Sequence, residues 1–466
     1  MLNRLSRRNL LRGGVQVAGL SVAGAALAAC GTKTAKPTVA KNVVVITLRP
    51  WVTIWESDFT AIFEHYLSFF TASNPSIQVK VVPNDQNPTA LIASIIAGTG
   101  PDVFHSYRPS ALLEQGLLLQ LDDYVKSAGI DLSIWSTQQL NRFRTSKGLF
   151  AFPAYQGTQA VAVNLDIFDA AGKAYPDPNW DYQTFSQTVN DLYEPPSGGK
   201  PARFGLTSLG SVGGSPLPRE YVLQGFGASV VDPSNPTACT LDATAAIACG
   251  QWWYSMYQSG AATIRSGLNT LFDGGQTAMR ITGSWELTQA ATEWQNVSKW
   301  AFYPIPSFPK ALTAFSTSDL YAVNVQTKHP TESLELLRWL TAEPQWQQAM
   351  MQMFLLSPGL KSLWPQWVDQ IYQVDPAMKS RNLEVFTQEI QQRATYTHIA
   401  FQYQSEATYA AIAAVAKEIL AGTYSVSQGF AAAASQANSM QAAYAKEAAS
   451  SSTSSGSASS ASSSSS

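Results

Sequence analysis

Two hydrophobic periods alternate along this chain. Val43-Val44-Val45-Ile46 is a continuous apolar run of the kind a buried strand requires, and after a turn at Pro50 the apolar positions change to helical spacing, at Phe59, Ile62, Phe63, Tyr66 and Phe70. A strand at Ile77 to Val82 follows, then a helix at Leu91 to Ala97 that Gly98-Thr99-Gly100-Pro101 breaks, a short strand opening at Asp102-Val103-Phe104, and a helix around Leu112. Strand and helix in strict alternation predict a parallel sheet covered on both faces. A second such region follows Gly148 to Pro153. It has strands at Ala160 to Val163 and Phe204 to Thr207, a helix at Tyr182 to Leu192, and a helix at Asp242 to Ser259 capped by Asp242, with apolar phase Ala246, Cys249, Trp253 and Met256. From Tyr396 to Lys446 the chain is Ala-rich and helical, and after Ala448 a Ser/Ala/Gly tract offers too little apolar area to order itself. The 466 residues therefore divide into about two α/β domains.

The first thirty residues have a different character. Arg7-Arg8 precede an uncharged small-residue run that ends in Leu27-Ala28-Ala29-Cys30-Gly31. A basic head, an apolar stretch shorter than the roughly 20 residues of a spanning helix and small residues before a cysteine make an export signal with a lipid-attachment site at Cys30. The paired arginines fit twin-arginine export or stand by chance in a general secretory signal; both routes end outside the cytoplasm. The Thr, Lys and Pro of the next ten residues read as a tether.

Composition narrows the function. With 13% charged residues, a net charge of -2 and no basic stripe, the chain lacks the footprint of nucleic-acid binding. Its surplus is aromatic, with 13 Trp and 18 Tyr, rings suited to surfaces that are apolar on the face and polar at the edge. Cys239 and Cys249 either pair as a disulfide or, as the helical phase of Cys249 suggests, pack as apolar residues; no zinc-type Cys/His spacing is present. The chain has no G-x-S-x-G, H-E-x-x-H or G-x-G-x-x-G motif. His65, His105, His329 and His398 form no catalytic spacing, and among carboxylates such as Glu56, Asp58, Asp102 and Asp319 none is singled out for acid/base work. The expectation from these residues is no enzyme activity, no cofactor and no metal.

A series of strings, in one order, resembles the extracellular solute-binding proteins of bacterial ABC importers, of the maltose and general carbohydrate type. They are Asn74-Pro75-Ser76-Ile77-Gln78-Val79, Ala97 to Val103, Gln115 to Asp123, Phe152-Pro153 before Val163-Asn164-Leu165-Asp166, Leu271 to Met279, Gly283-Ser284-Trp285, and Lys328-His329-Pro330. The resemblance runs from about Asn42 to Gln436. It implies a two-lobe periplasmic-binding-protein fold, type II-like, with a mostly parallel sheet flanked by helices in each lobe and a ligand cleft between them. The implied divisions are an export signal at 1–30, a tether at 31–41, a first lobe of 42–153 plus 319–358, a second of 154–316 plus 362–448, and an unordered tail at 449–466. Crossings between lobes are implied near Pro153 to Gln156, Ser316 to Asp319 and Pro358 to Lys361.

Ligands of open α/β sheets bind beyond the carboxyl ends of the strands. The candidate ligand residues are accordingly Trp51 and Trp55 after the first strand, although Trp55 fits equally well packed under its own helix; His105, Tyr107 and Arg108 after the third; and Tyr155, Gln156, Ser318 and Asp319 at the crossings. Trp285 stands where the family's Gly-x-Trp places a sugar-stacking ring. Tyr403 and Tyr409 lie on the C-terminal helical segment, where such spacing also suits core packing. A pyranose has a face of C–H bonds and a rim of hydroxyls, which a flat ring and neutral or charged polar groups satisfy together. The resemblance implies an exported monomer, lipid-anchored at the outer face of the cell membrane or in the periplasm. It would bind a sugar or oligosaccharide and deliver it to ABC permease subunits. The alternatives are a polyol, polyamine or peptide ligand, a sensor role and, ranked below these, a secreted carbohydrate-active enzyme.

Overall fold

The computed structural model describes residues 43–50, 57–85, 87–107, 109–208, 217–264, 268–311, 315–393 and 401–458. Cys30, Trp51, Trp55 and Arg108 lie outside them. Two separate sheets organise the chain. The first has the strand order Ile77–Val81, Val44–Arg49, Val103–Ser106, Leu320–Val323, Phe152–Pro153. The second runs Ala262–Thr263, Phe204–Ser208, Thr277–Gly283, Gly157–Asn164, Trp300–Tyr303, with Ser316–Thr317 paired to the near end of Gly157–Asn164.

Each sheet is mixed, where a mostly parallel one was expected. The first three strands of each are parallel, and Leu320–Val323 and Gly157–Asn164 are antiparallel to their neighbours. These two strands arrive directly from the other sheet, with no crossover helix to turn the chain round, so a parallel pairing is not imposed on them.

Helix Pro88–Ile96 shows how local sequence sets an element: Asn87 accepts the Ala90 N–H at 3.1 Å and Pro88 occupies the first turn, where its missing N–H costs nothing. Helix Ser57–Ser73 buries Phe63, Leu67 and Phe70. Asp102, a candidate carboxylate by sequence, is consumed structurally, accepting from the Thr47 N–H at 2.8 Å and hydroxyl at 2.7 Å and from the Thr327 hydroxyl at 2.6 Å. The expected cap at Asp242 is corrected: helix Thr244–Gln258 has Ala243 at the cap position, with no side-chain bond, and is held instead by burial of Ala246, Cys249, Trp253 and Met256. Cys239 and Cys249 are both free and buried. The final helix, Val426–Ala458, continues into the Ser-rich tract expected to be unordered, since extending a helix avoids the nucleation cost of starting one. Among the described residues, no helix is long and apolar enough to cross a membrane.

One apolar core lies around the first sheet and extends to one face of the second through Trp294, Trp300 and Phe302; the other face packs against helices Tyr182–Asp191, Thr244–Gln258 and Ser405–Leu420. The two layers also meet where Glu114, ending helix Pro109–Glu114, accepts the Ser405 N–H at 3.1 Å at the start of helix Ser405–Leu420.

Three carboxyls have their pKa pushed up from 4.5 to about 7, in each case chiefly by burial: Glu114, Glu220 and Glu389. A pKa raised on folding means the folded state binds the proton more tightly, so the stabilisation is complete below 4.5 and is lost as pH rises through 7. Asp181 and Asp232, bonded by the Thr184 N–H and the Ser234 hydroxyl, are shifted down, and their contribution disappears only below 3.8. Melting temperature is therefore expected to fall by roughly 2–5 °C between pH 5 and pH 8, and Glu220→Gln to flatten that slope, as read by scanning calorimetry. A melting temperature rising over this interval contradicts the assignment.

Candidate functional site

Three stretches of chain join the two sheets, and hydrogen bonds strap them together. The chain leaves the first sheet at Pro153 and enters the second at Gly157, returns between Thr317 and Leu320, and passes them again at Ser357 to Gly359. Ala154 N–H donates to the Asp319 carbonyl at 2.8 Å, Gln156 N–H to the Ser357 carbonyl at 3.3 Å, and the Ser357 hydroxyl back to the Gln156 carbonyl. The Ser318 hydroxyl donates to the Tyr155 carbonyl at 2.5 Å, and Gln156 Nε2 to Ser316 Oγ at 2.9 Å.

On this hinge sits a buried polar group. His105 Nε2 is 3.0 Å from Asp319 Oδ2, and the Tyr155 side chain also bonds Asp319. Burial first, and then the Asp319 charge, push the Tyr155 hydroxyl well above its ordinary pKa, so it stays a neutral donor. The structure thus brings His105, Tyr155, Gln156, Ser318 and Asp319 together, with several of their polar groups bonded to the hinge itself. Tyr107 is close by, its carbonyl accepting Arg142 Nη2 at 3.4 Å. Tyr403 is tied elsewhere, its N–H bonded to Gln441 Oε1 of the last helix at 3.1 Å, and Tyr409 packs on Phe401.

Trp285 is half-buried and borders both cores. Two glycines make room for its ring. A Cβ on Gly283 would come within 2.3 Å of the indole Cε2 and Cζ2, and one on Gly157 within 3.2 Å of Cε3, 3.0 Å of the Tyr155 ring and 2.6 Å of Thr317 Cγ2. The indole therefore lies over the strand ends beside Tyr155. Phe315 meets it edge-on with centroids 5.8 Å apart, and the Arg219 guanidinium stacks on Phe315 at 4.9 Å. Sequence reading missed Phe315 and Arg219. The signal for Phe315 was its place directly before the second crossing; Arg219 had none. Among the described residues, no group of three or more His, Cys, Asp or Glu converges as a metal site would require.

An aromatic surface at the joint of two hinged α/β layers is the layout of a receptor that closes on a small molecule. The profile of the bacterial extracellular solute-binding proteins matches residues 66–380. The chain belongs to that family. Its fold is that of an ABC substrate-binding protein from Listeria monocytogenes in complex with cycloalternan, with a TM-score of 0.72 and 16% identity, covering 86% of this chain and 100% of that one. A cyclic alpha-maltosyl-1,6-maltose binding protein from Arthrobacter globiformis superposes with a TM-score of 0.67 at 17% identity, covering 86% and 99%. A Brucella abortus protein described as a binding protein is 24% identical over 292 residues, 60% of this chain and 68% of its own. This solute-binding protein thus has the two-lobe fold, with one sheet in each lobe and the hinge between them.

Gly283→Ala is expected to displace the Trp285 indole, because its methyl needs space the ring occupies. Near-UV circular dichroism should change, and the change should vanish in a Trp285→Phe background; a difference that persists there would show that another ring moved.

Proposed function

We propose that this protein captures a sugar or oligosaccharide between its lobes and delivers it to an ABC permease, held at the membrane by a lipid on Cys30. The observation that carries the reading is the half-buried indole of Trp285, set between the two cores beside Tyr155 and the hinge. Its face suits the C–H side of a pyranose, and neighbouring neutral groups suit the hydroxyl rim. Support also comes from the solved relatives of like fold, one in complex with cycloalternan and one named for a cyclic maltosyl-maltose.

Lobe closure follows population shift: a ligand touching both lobes has more contacts in the closed form and favours it by that difference. The hinge group around Asp319 joins the strands that must rotate, so His105, Tyr155, Gln156, Ser318 and Asp319 serve either as ligand contacts or as the support that positions them, with Tyr107 close by. Tyr403, whose backbone is bonded to Gln441 of the last helix, stays a candidate from the sequence alone.

A thermal-shift screen with cycloalternan, maltotriose, mannotriose, sorbitol, spermidine and a tripeptide should raise the melting temperature with a sugar, because a ligand of the native state stabilises by mass action. Trp285→Ala should weaken that binding by about 1 kcal/mol or more in titration calorimetry while the melting temperature without ligand changes little. A shift with spermidine or the peptide alone refutes the sugar assignment. For the anchor, Cys30→Ser should release the protein from the membrane fraction of expressing cells; an unchanged membrane fraction rules out lipid at Cys30.

A further inference from the structure

The strand Gly157–Asn164 carries a polar side chain that neither the hinge nor the apolar core uses. In its pairing with Thr277–Gly283, Gln159 stands directly opposite Gly283. Val161 and Val163 on one strand and Met279 and Ile281 on the other belong to the second core, so by the two-residue period Gln159 and Gly283 point to that same face. Gly283 has no side chain there; the Trp285 indole fills the space, its Cε2 and Cζ2 lying where a Cβ would go. Gly157, two residues before Gln159, is covered by the same ring. Gln159 therefore adjoins the indole at the end of the sheet nearest the hinge.

Gln159 is 0% exposed, and neither its Nε2 nor its Oε1 has a hydrogen-bond partner among the described residues. Leaving both ends of a buried amide unmatched opposes folding, and such groups are rare in native proteins unless function uses them. A primary amide offers one donor and one acceptor side by side, without charge. Two hydroxyls on adjacent carbons present the complementary pair, one donating to Oε1 and the next accepting from Nε2. A charged ligand group in the same place would be desolvated with no counter-charge from the amide.

We propose that Gln159 is a ligand-contacting residue that selects for a pair of neighbouring hydroxyls on an uncharged ligand lying against Trp285, an assignment that rests on the sugar-binding reading above. It extends that reading by naming a polar determinant at the foot of the second lobe and by excluding ammonium and carboxylate groups from this position. Phe315 meets the same ring edge-on and carries the Arg219 guanidinium on its own face.

The test is titration calorimetry on the full mature chain with cycloalternan, maltotriose and mannotriose, using wild type, Gln159→Met and Trp285→Ala. Gln159→Met keeps the volume and removes both polar atoms; it should lower affinity tenfold or more for a sugar that binds wild type. Monodeoxy derivatives of that sugar should bind wild type more weakly by a similar factor, yet bind Gln159→Met no worse than the parent sugar does, for the derivative lacking a contacted hydroxyl. If Gln159→Met binds as wild type while Trp285→Ala loses affinity, the assignment of Gln159 is overturned and the sugar reading stands. If none of the three sugars binds wild type, both fall. Should Gln159→Met not fold, a crystal structure of wild type with the bound sugar decides: the amide within about 3.2 Å of two ligand oxygens supports the assignment, and an amide out of reach of the sugar overturns it.

Discussion

The mutual hydrogen bonding of the three connecting segments is the constraint on which the rest depends. Ala154 to Asp319, Gln156 to Ser357 and Ser318 to Tyr155 tie the segments to one another, which opposes translation and independent twisting of the lobes. What remains is bending, by small backbone rotations in a few residues at strand ends. A single connection would leave the lobes as loosely tethered domains with many relative orientations, and a ligand would have to pay for ordering them. Three strapped connections reduce that freedom before any ligand arrives, so more of the contact energy is available for affinity.

The aromatic surplus has two distinct uses. Much of it is structural: Trp294, Trp300, Phe302 and Phe386 pack edge to face on one side of the second sheet, with the Arg381 guanidinium 4.4 Å above Trp300. These rings carry the core of the first lobe continuously onto the second, where a purely polar joint would leave the sheet face wet. Trp285 is different because it borders both cores and is only partly covered by either. Its position follows from absent atoms, at Gly283 and Gly157, rather than from an apolar socket of its own.

Most of the elements were legible in the sequence because their signals are local. Val43 to Ile46 and Ile77 to Val82 are apolar runs bounded by turns, and the phase of Phe63, Tyr66 and Phe70 is a helix wherever it occurs. Strand order was not legible, since Leu320–Val323 joins the first sheet from more than two hundred residues beyond its partner Val103–Ser106, and no local period encodes that pairing. For the same reason the sheets read as more parallel than they are. Trp285, like the hinge residues, was singled out through the resemblance, whose Gly-x-Trp it matches. Gln159 was not, because one polar residue at the start of an apolar strand looks like a strand end; only the register that sets it against Gly283 gives it meaning.

Glu114 adds a last consequence of the three-way connection. Its carboxylate reaches from a helix of the first layer to the Ser405 N–H that opens helix Ser405–Leu420, which packs with the second, and a helix N-terminus favours negative charge there. Burial and the nearby Glu406 work against that charge, while the Ser405 N–H supports it. The contact therefore balances desolvation of the carboxyl against its hydrogen bond. The hinge supplies the precision of closure, and contacts remote from it must stay small enough for the ligand to decide the population.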